Sequence, residues 1–253
     1  MKGRESGMPE EAYWQTFYDA DCIVEKLECA KEKKERIAEF GSGYGTFTFA
    51  AATRTSGVVH AFDIEPDLVA LVQCRAHDAG LSNVRAEVRD FVAQGTGLPS
   101  ESIDHAMVYN LLHIEEPVRL LKEAYRILRP GGVVSIVHWK FDSSTPRGPS
   151  MSIRPRPEQC RTWAEAAGFM FMRDQDLSEC CEYHYGLLLM RPRVRPEVLK
   201  VSQSAESSQT LQPGSEREER RWPAPARAGI HGRRRATLYR QPTKIFMAND
   251  AKL

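Results

Sequence analysis

The sequence predicts an α/β protein built on a doubly wound, mostly parallel sheet, and three observations carry that prediction. Short apolar runs ending near Phe40, Asp63, Phe91 and His113 alternate with stretches of helical periodicity, the order that gives parallel strands with right-handed crossovers. A glycine-rich loop, Gly41 to Gly45, separates the first run from the helical pattern that follows it. Gly132 to Trp139 is a near-continuous β-branched run, the mark of a strand covered on both faces.

The elements follow in order. Glu10 to Asp19 is polar, with Tyr13, Trp14 and Phe17 on one possible helical face. These aromatics either fold over a ligand as a lid or bury that face in the core. Cys22 to Lys34 reads as a second helix whose Lys/Glu-rich end is solvated, so residues 1–35 form a helical cap. Phe47 to Thr53 and Pro66 to Ala79 continue as helices, the latter with Pro66 in its first turn and Gly80 as its stop. Glu116 to Leu128 repeats the pattern and ends at the turn Pro130-Gly131-Gly132. Phe141 to Pro157 holds four prolines, four serines and Gly148 and reads as a loop. Arg161 to Ala167 is a helix, and Phe169 to Met172 and His184 to Met190 are the last two strands. The domain spans 36–192. Residues 193–253 form a linker and a basic tail, where ten Lys/Arg against five Asp/Glu follow Ser202. The tail is too poor in aliphatic residues to repay ordering; Arg233-Arg234-Arg235 is either a solvated run or a docking patch.

The glycine loop narrows the ligand. Glycine tolerates φ > 0 and brings no Cβ, so a ligand can lie against the backbone, beside a helix start with its positive dipole end. The dinucleotide fingerprint needs Gly-x-Gly-x-x-Gly, but here Thr46 holds its third glycine position and the glycine comes one residue early. Glu39 beside the loop would repel a pyrophosphate and suit an amino group. The loop thus reads as a cradle for a nucleoside with a zwitterionic tail.

Glu39-Phe40-Gly41-Ser42-Gly43-Tyr44-Gly45 resembles the first motif of the class I S-adenosylmethionine-dependent methyltransferases, Asp/Glu-x-Gly-x-Gly-x-Gly. Asp63-Ile64-Glu65-Pro66, Val84 to Phe91, Ile103 to His113 and Ala124 to Gly132 resemble the next four motifs, in order. The resemblance implies a Rossmann-like, seven-stranded sheet whose last strand is antiparallel, with S-adenosyl-L-methionine as cofactor. It implies that Gly41, Gly43 and the amides of a loop including Ser42, Tyr44 and Gly45 face the methionine part, with Glu39 near its amino group. Asp63 would take the ribose hydroxyls and Ile64 the adenine face, Asp90 the adenine amino group, and Phe91 would pack beside it. Asp63 is expected to be largely free of fold contacts. Asn110-Leu111-Leu112-His113 departs from the Asn/Asp-Pro-Pro-aromatic signature of relatives that methylate DNA or amide nitrogens, and is closer to the small-molecule branch acting on quinones. Asn110 belongs to the cofactor set. His113 is the candidate catalytic group, as base or donor, or else caps the following helix or faces solvent. His138 and Trp139 end the fifth strand and line the same pocket or pack the core.

Composition sets the remaining bounds. Lys plus Arg number 35 and Asp plus Glu 34, so the net charge argues against nucleic acid. No apolar run approaches the ~20 residues of a membrane span. Six cysteines without a secretory signal read as reduced thiols of a cytoplasmic protein. Arsenite methyltransferases share this fold and bind arsenic through cysteines, as Cys160 and the adjacent Cys180-Cys181 could, but this chain has none in the loop after the fourth strand, where that family places one, and no spacing suggests a metal site. The expected activity is methyl transfer to a small-molecule acceptor at O, C or N. The alternatives are a protein side chain as acceptor, with the basic tail docking the partner, and a silent cofactor-binding regulatory subunit.

Overall fold

The structure, a computed structural model, describes residues 7–193. The chain divides into a unit Met1–Lys200 and a unit Val201–Leu253; the second, and with it the tail expectations, lies outside the described residues. Seven strands form one sheet in the order β3-β2-β1-β4-β5-β7-β6. They are β1 (Ile37–Phe40), β2 (Val59–Asp63), β3 (Val84–Val88), β4 (Ile103–Tyr109), β5 (Leu128–Trp139), β6 (Met170–Gln175) and β7 (His184–Met190). β1 to β5 pair in parallel, and β7 runs antiparallel to both β5 and β6. The order reverses between β1 and β4, and such a switch point opens a crevice at the carboxyl ends of the strands.

Six helices cover the sheet: α1 (Glu11–Gln15), α2 (Ala20–Lys26), α3 (Thr46–Ala52), α4 (Pro66–Asp78), α5 (Pro117–Ile127) and α6 (Pro157–Ala166). The pleat sends alternate residues of β1 into two cores. Ile37 joins a cluster with Val24, Leu27, Phe47, Ala51 and Met107, whereas Ala38 and Phe40 join one with Phe62, Leu120, Leu121 and Ile136. Residues of α1 and α2 lie in the first cluster, so the segment before β1 is part of the core.

Several boundaries differ from the sequence reading. α2 stops at Lys26, seven residues and not thirteen, because Leu27, Cys29 and Ala30 turn inward and Glu28 and Ala30 take left-handed backbone (φ 53° and 60°). Pro130-Gly131-Gly132 does not end an element. It forms an irregularity inside β5, where the register jumps from Ile103 opposite Leu128 to His105 opposite Val133 and Gly131 takes φ 83°. α6 begins at Pro157, inside the segment read as loop, and β6 extends to Gln175. The cysteines are also not all thiols. Cys22 and Cys180 form a disulfide between α2 and the β6–β7 loop, and Cys29, Cys74, Cys160 and Cys181 are free.

Candidate functional site

The carboxyl ends of β1, β2, β3, β4 and β5 surround a cavity of about 560 Å³, within the range of small-ligand sites. One wall is polar. β1 gives way to Gly41, Ser42 and Gly43, β2 ends in Asp63 and Ile64, and β3 is followed by Asp90 and Phe91. The other wall is aromatic, with Trp14, Tyr109 and Trp139, together with Asn110, His113 and Arg147.

The glycine loop is held by its own amides. Gly41 and Ser42 both donate to the Phe62 carbonyl (2.8 and 3.0 Å), and Gly45 donates to the Ser42 carbonyl (2.8 Å). Gly43 donates to Asp63 Oδ2 (2.8 Å), and Glu65 donates its amide to Asp63 Oδ1 (3.0 Å). The amides of Gly41, Ser42, Gly43 and Gly45 thus shape the loop through bonds within the protein, while Gly41, Ser42 and Gly43 line the cavity. Asp63, contrary to the sequence expectation, is not free of fold contacts: it fastens the loop after β1 to the loop after β2. Each oxygen keeps a lone pair after one bond, so the carboxylate can still accept from ribose hydroxyls.

Glu39, Tyr44 and Gly45 do not line the cavity. The pleat turns Glu39 onto the face covered by α3, where it is buried and shares a short hydrogen bond with the Thr48 hydroxyl. Burial raises its pKa to about 8, against the opposing pull of the Thr48 bond, so it is largely protonated at neutral pH. Tyr44 donates its hydroxyl to the Pro9 carbonyl (2.7 Å). Gly45 takes φ 81° at the start of α3, where an added Cβ would stand 2.6 Å from the Phe49 ring; its role is the turn.

Ser42 Oγ and Asn110 Oδ1 are among the buried polar atoms of the cavity lining that have no protein hydrogen-bond partner. Asn110 sits in left-handed backbone (φ 53°) after β4 and donates Nδ2 to the Tyr18 hydroxyl (2.8 Å). Tyr18 lies 2.8 Å from His184 Nε2. Burial pushes the His184 pKa down to about 3, with Lys140 and Arg154 adding to it, and burial raises that of Tyr18. A neutral imidazole thus accepts the phenol proton, the phenol oxygen accepts from Asn110, and the amide oxygen is left turned to its unmatched side. An unmatched buried acceptor costs about 1–3 kcal/mol, which a donor group on a ligand would recover.

His113 is buried beside His138, with Nδ1 3.3 Å from His138 Nε2. Burial, and secondarily His113, hold the His138 pKa well below its ordinary value. Phe91 packs edge-on against Phe40 at 5.2 Å between centroids, and Asp90 Oδ1 accepts from the Ala93 amide (2.9 Å). A strap formed by residues 7–18 borders the cavity through Met8, Pro9 and Trp14. It is tied down by Glu11 to Arg75 (2.5 and 2.8 Å), Pro9 to Tyr44, and Tyr18 to Asn110 and His184. Trp14 both lines the cavity and packs in the core, and no sequence signal singles out Met8, Tyr18 or Arg147. Their proximity comes from the strap and from the loop after β5. Among the described residues no group of three or more His, Cys, Asp or Glu is placed to hold a metal ion, and no helix is long and apolar enough to cross a membrane.

Residues 37–132 match a family described as a methyltransferase domain. The chain thus holds a methyltransferase-domain match that agrees with the class I S-adenosylmethionine-dependent motifs it resembles. It is 30% identical over 139 residues to aklanonic acid methyltransferase DauC of Streptomyces sp. (strain C5), covering 50% of this chain and 62% of that one. It is 34% identical over 124 residues to an uncharacterized 37.1 kDa protein in a transposon of Streptomyces fradiae, covering 47% and 34%. The chain thus spans less than two thirds of either relative. Among solved structures, an S-adenosylmethionine-dependent methyltransferase from Aquifex aeolicus superposes with a TM-score of 0.60 at 20% identity, over 69% of this chain and 90% of that one. The [4+2]-cyclase SpnF superposes with 0.58 at 18% identity, over 68% and 80%. These likenesses show the fold, and the second shows that the fold alone does not set the reaction. S-adenosylmethionine is the cofactor of the methyltransferase domain, and the residues suit it: an acid at the end of β2, an acid and an aromatic after β3, and two unmatched polar atoms beside the glycine loop.

Proposed function

We propose that the protein methylates a small, flat, largely apolar molecule held in the aromatic part of the cavity. One observation carries this reading: the residues suited to the cofactor and the aromatic wall of Trp14, Tyr109 and Trp139 line a single cavity that the N-terminal strap borders. Such a space admits a small molecule more readily than a folded protein surface. The likeness to aklanonic acid methyltransferase supports the same class of acceptor. A cytoplasmic location belongs to this proposal, and in a reducing cytosol Cys22 and Cys180 would stand as thiols.

When bound, the cofactor supplies a methyl group on a sulfonium, which requires alignment more than activation. Asp63 would accept from the ribose hydroxyls while keeping its bonds to the Gly43 and Glu65 amides. Ile64 and Phe91 would flank the adenine. Ser42 Oγ and Asn110 Oδ1 would meet the polar tail or an acceptor hydroxyl. His138, kept neutral, can accept a hydrogen bond from His113 Nδ1–H, which selects the His113 tautomer that is basic at Nε2. His113 can then take a proton from an acceptor that carries one.

The test uses radiolabelled S-adenosylmethionine with low-molecular-weight and macromolecular extracts in parallel. Label appearing in the low-molecular-weight fraction supports the reading. Label confined to macromolecules, or no transfer despite cofactor binding, refutes it in favour of a protein acceptor or a silent subunit.

A further inference from the structure

The loop between β5 and α6 is organised by Arg154, a buried side chain with no part in the chemistry above. Its Nε donates to the Pro149 carbonyl (2.9 Å). Its Nη1 donates to the carbonyls of Lys140 (3.2 Å) and Asp142 (2.9 Å) and to Thr145 Oγ1 (2.6 Å). Its Nη2 donates to the Arg147 carbonyl (3.3 Å), which also accepts from the Thr145 hydroxyl (2.9 Å). Residues 140–149 are thus wound around one guanidinium. The winding is close: an added Cβ on Gly148, which takes φ 123°, would stand 2.6 Å from Arg154 Nη2 and 2.9 Å from Trp139.

This clasp carries Arg147 to the cavity, which Gly148, Pro149 and Trp139 also line. Arg147 Nη2 donates to the Gly7 carbonyl (3.0 Å), and among the described residues no carboxylate forms an ion pair with it. The acids that line the cavity stand after β2, β3 and β4, and none stands on the loop after β5. A half-buried guanidinium with no ion-pair partner among the described residues, in a cavity also lined by Trp14 and Trp139, is a strong site for a planar anion. Its fork matches a carboxylate bidentately, and it is more weakly hydrated than an ammonium.

We propose that Arg147 is a specificity-determining anchor: the chamber takes an aromatic molecule bearing a carboxylate, the carboxylate on Arg147 and the ring system against Trp14 and Trp139. This deepens the methyltransferase reading and rests on it for the location of the chamber. The carboxylate is the group that is recognised, and the acceptor atom lies elsewhere on the same molecule or on the carboxylate itself.

The experiment measures binding and not turnover, with the full chain saturated in S-adenosylhomocysteine. The probes are 2-naphthoate and anthraquinone-2-carboxylate, each against its neutral carboxamide, followed by titration calorimetry. At least one acid is expected to bind about tenfold more tightly than its carboxamide. In Arg147→Gln that preference disappears, and in Arg147→Lys it is partly restored, while S-adenosylhomocysteine affinity stays within about threefold throughout. Equal binding of acid and carboxamide, no binding of either acid, or a preference that survives Arg147→Gln overturns the proposal. A loss of S-adenosylhomocysteine binding in Arg147→Gln overturns it too, since Arg147 would then be a scaffold residue. Failure of the methyltransferase reading looks different: no label is transferred in the extract experiment, whatever the acids do here.

Discussion

Replacing Asp63 with alanine removes two things at once. Two N–H groups lose their acceptor, that of Gly43 at 2.8 Å and that of Glu65 at 3.0 Å. Asp63 is buried, and each donor left without a partner costs about 1–3 kcal/mol. Water entering the vacated space offsets part of this, so the folded protein should lose roughly 2–4 kcal/mol. The cofactor loses its charge-assisted ribose acceptor as well, about 1.5–3 kcal/mol or roughly 10- to 150-fold in affinity, and the loosened glycine loop adds to that loss. Urea unfolding of the ligand-free protein reads the first effect, and calorimetric titration with S-adenosylhomocysteine reads the second. Asp78→Ala, at the exposed end of α4, is the control and should leave both within error. An Asp63→Ala protein of unchanged stability would refute the fastening role drawn from the two amide bonds. Unchanged S-adenosylhomocysteine affinity would refute the ribose assignment, and the cofactor would have to be placed differently along the carboxyl edge.

Three further outcomes are expected. Glu39 holds its proton in the folded state up to about pH 8 but loses it near pH 4.5 when unfolded, so the unfolded state binds fewer protons in between and wild-type stability falls as pH rises through that window. Glu39→Gln removes this dependence, and its urea midpoint should gain on the wild type from pH 5 to pH 8, by up to about 1.4 kcal/mol per pH unit; parallel profiles would contradict a buried, protonated Glu39. Cys22→Ser should lower stability under oxidising conditions by roughly 2–4 kcal/mol and by far less in excess reductant, while equal stability in both would mean that the Cys22–Cys180 bond does not form. Tyr18→Phe should weaken S-adenosylhomocysteine binding severalfold, because Asn110 loses the partner that orients its amide; an unchanged affinity would separate the Asn110 side chain from the cofactor.

The sheet was legible because its strands are short, apolar and bounded by glycine, proline or an acid, and because period-2 and period-3.6 patterns do not overlap between β1 and α5. The β5 irregularity was not legible, since Pro-Gly-Gly has the same local chemistry in a turn as in a strand that skips residues. What distinguishes the two is the pairing of Leu128 with Ile103, a tertiary fact. The early stop of α2 is of the same kind: Lys26 to Lys34 has helical composition, but burial of Leu27 and Cys29 requires left-handed turns at Glu28 and Ala30.

The site divides along the same line. Position on the carboxyl edge could be read from sequence, and Gly41, Asp63, Ile64, Asp90, Phe91, Asn110 and His113 all line the one cavity. Direction could not. Glu39 and Asp63 are both acids at strand ends, yet one faces α3 under the sheet and the other faces the glycine loop, because Glu39 lies inside β1 opposite Ala61 whereas Asp63 stands two residues further along, at the end of β2 beyond its last pair with β1. That difference turns one carboxyl into a protonated core group bonded to Thr48 and the other into a fastener with lone pairs to spare. A motif that allows Asp or Glu before the glycines therefore specifies a residue type whose charge state the fold then decides. Here the fold discharges Glu39, whereas Asp63 and Asp90, two of the acids that line the cavity, are bonded to backbone amides that fix their direction.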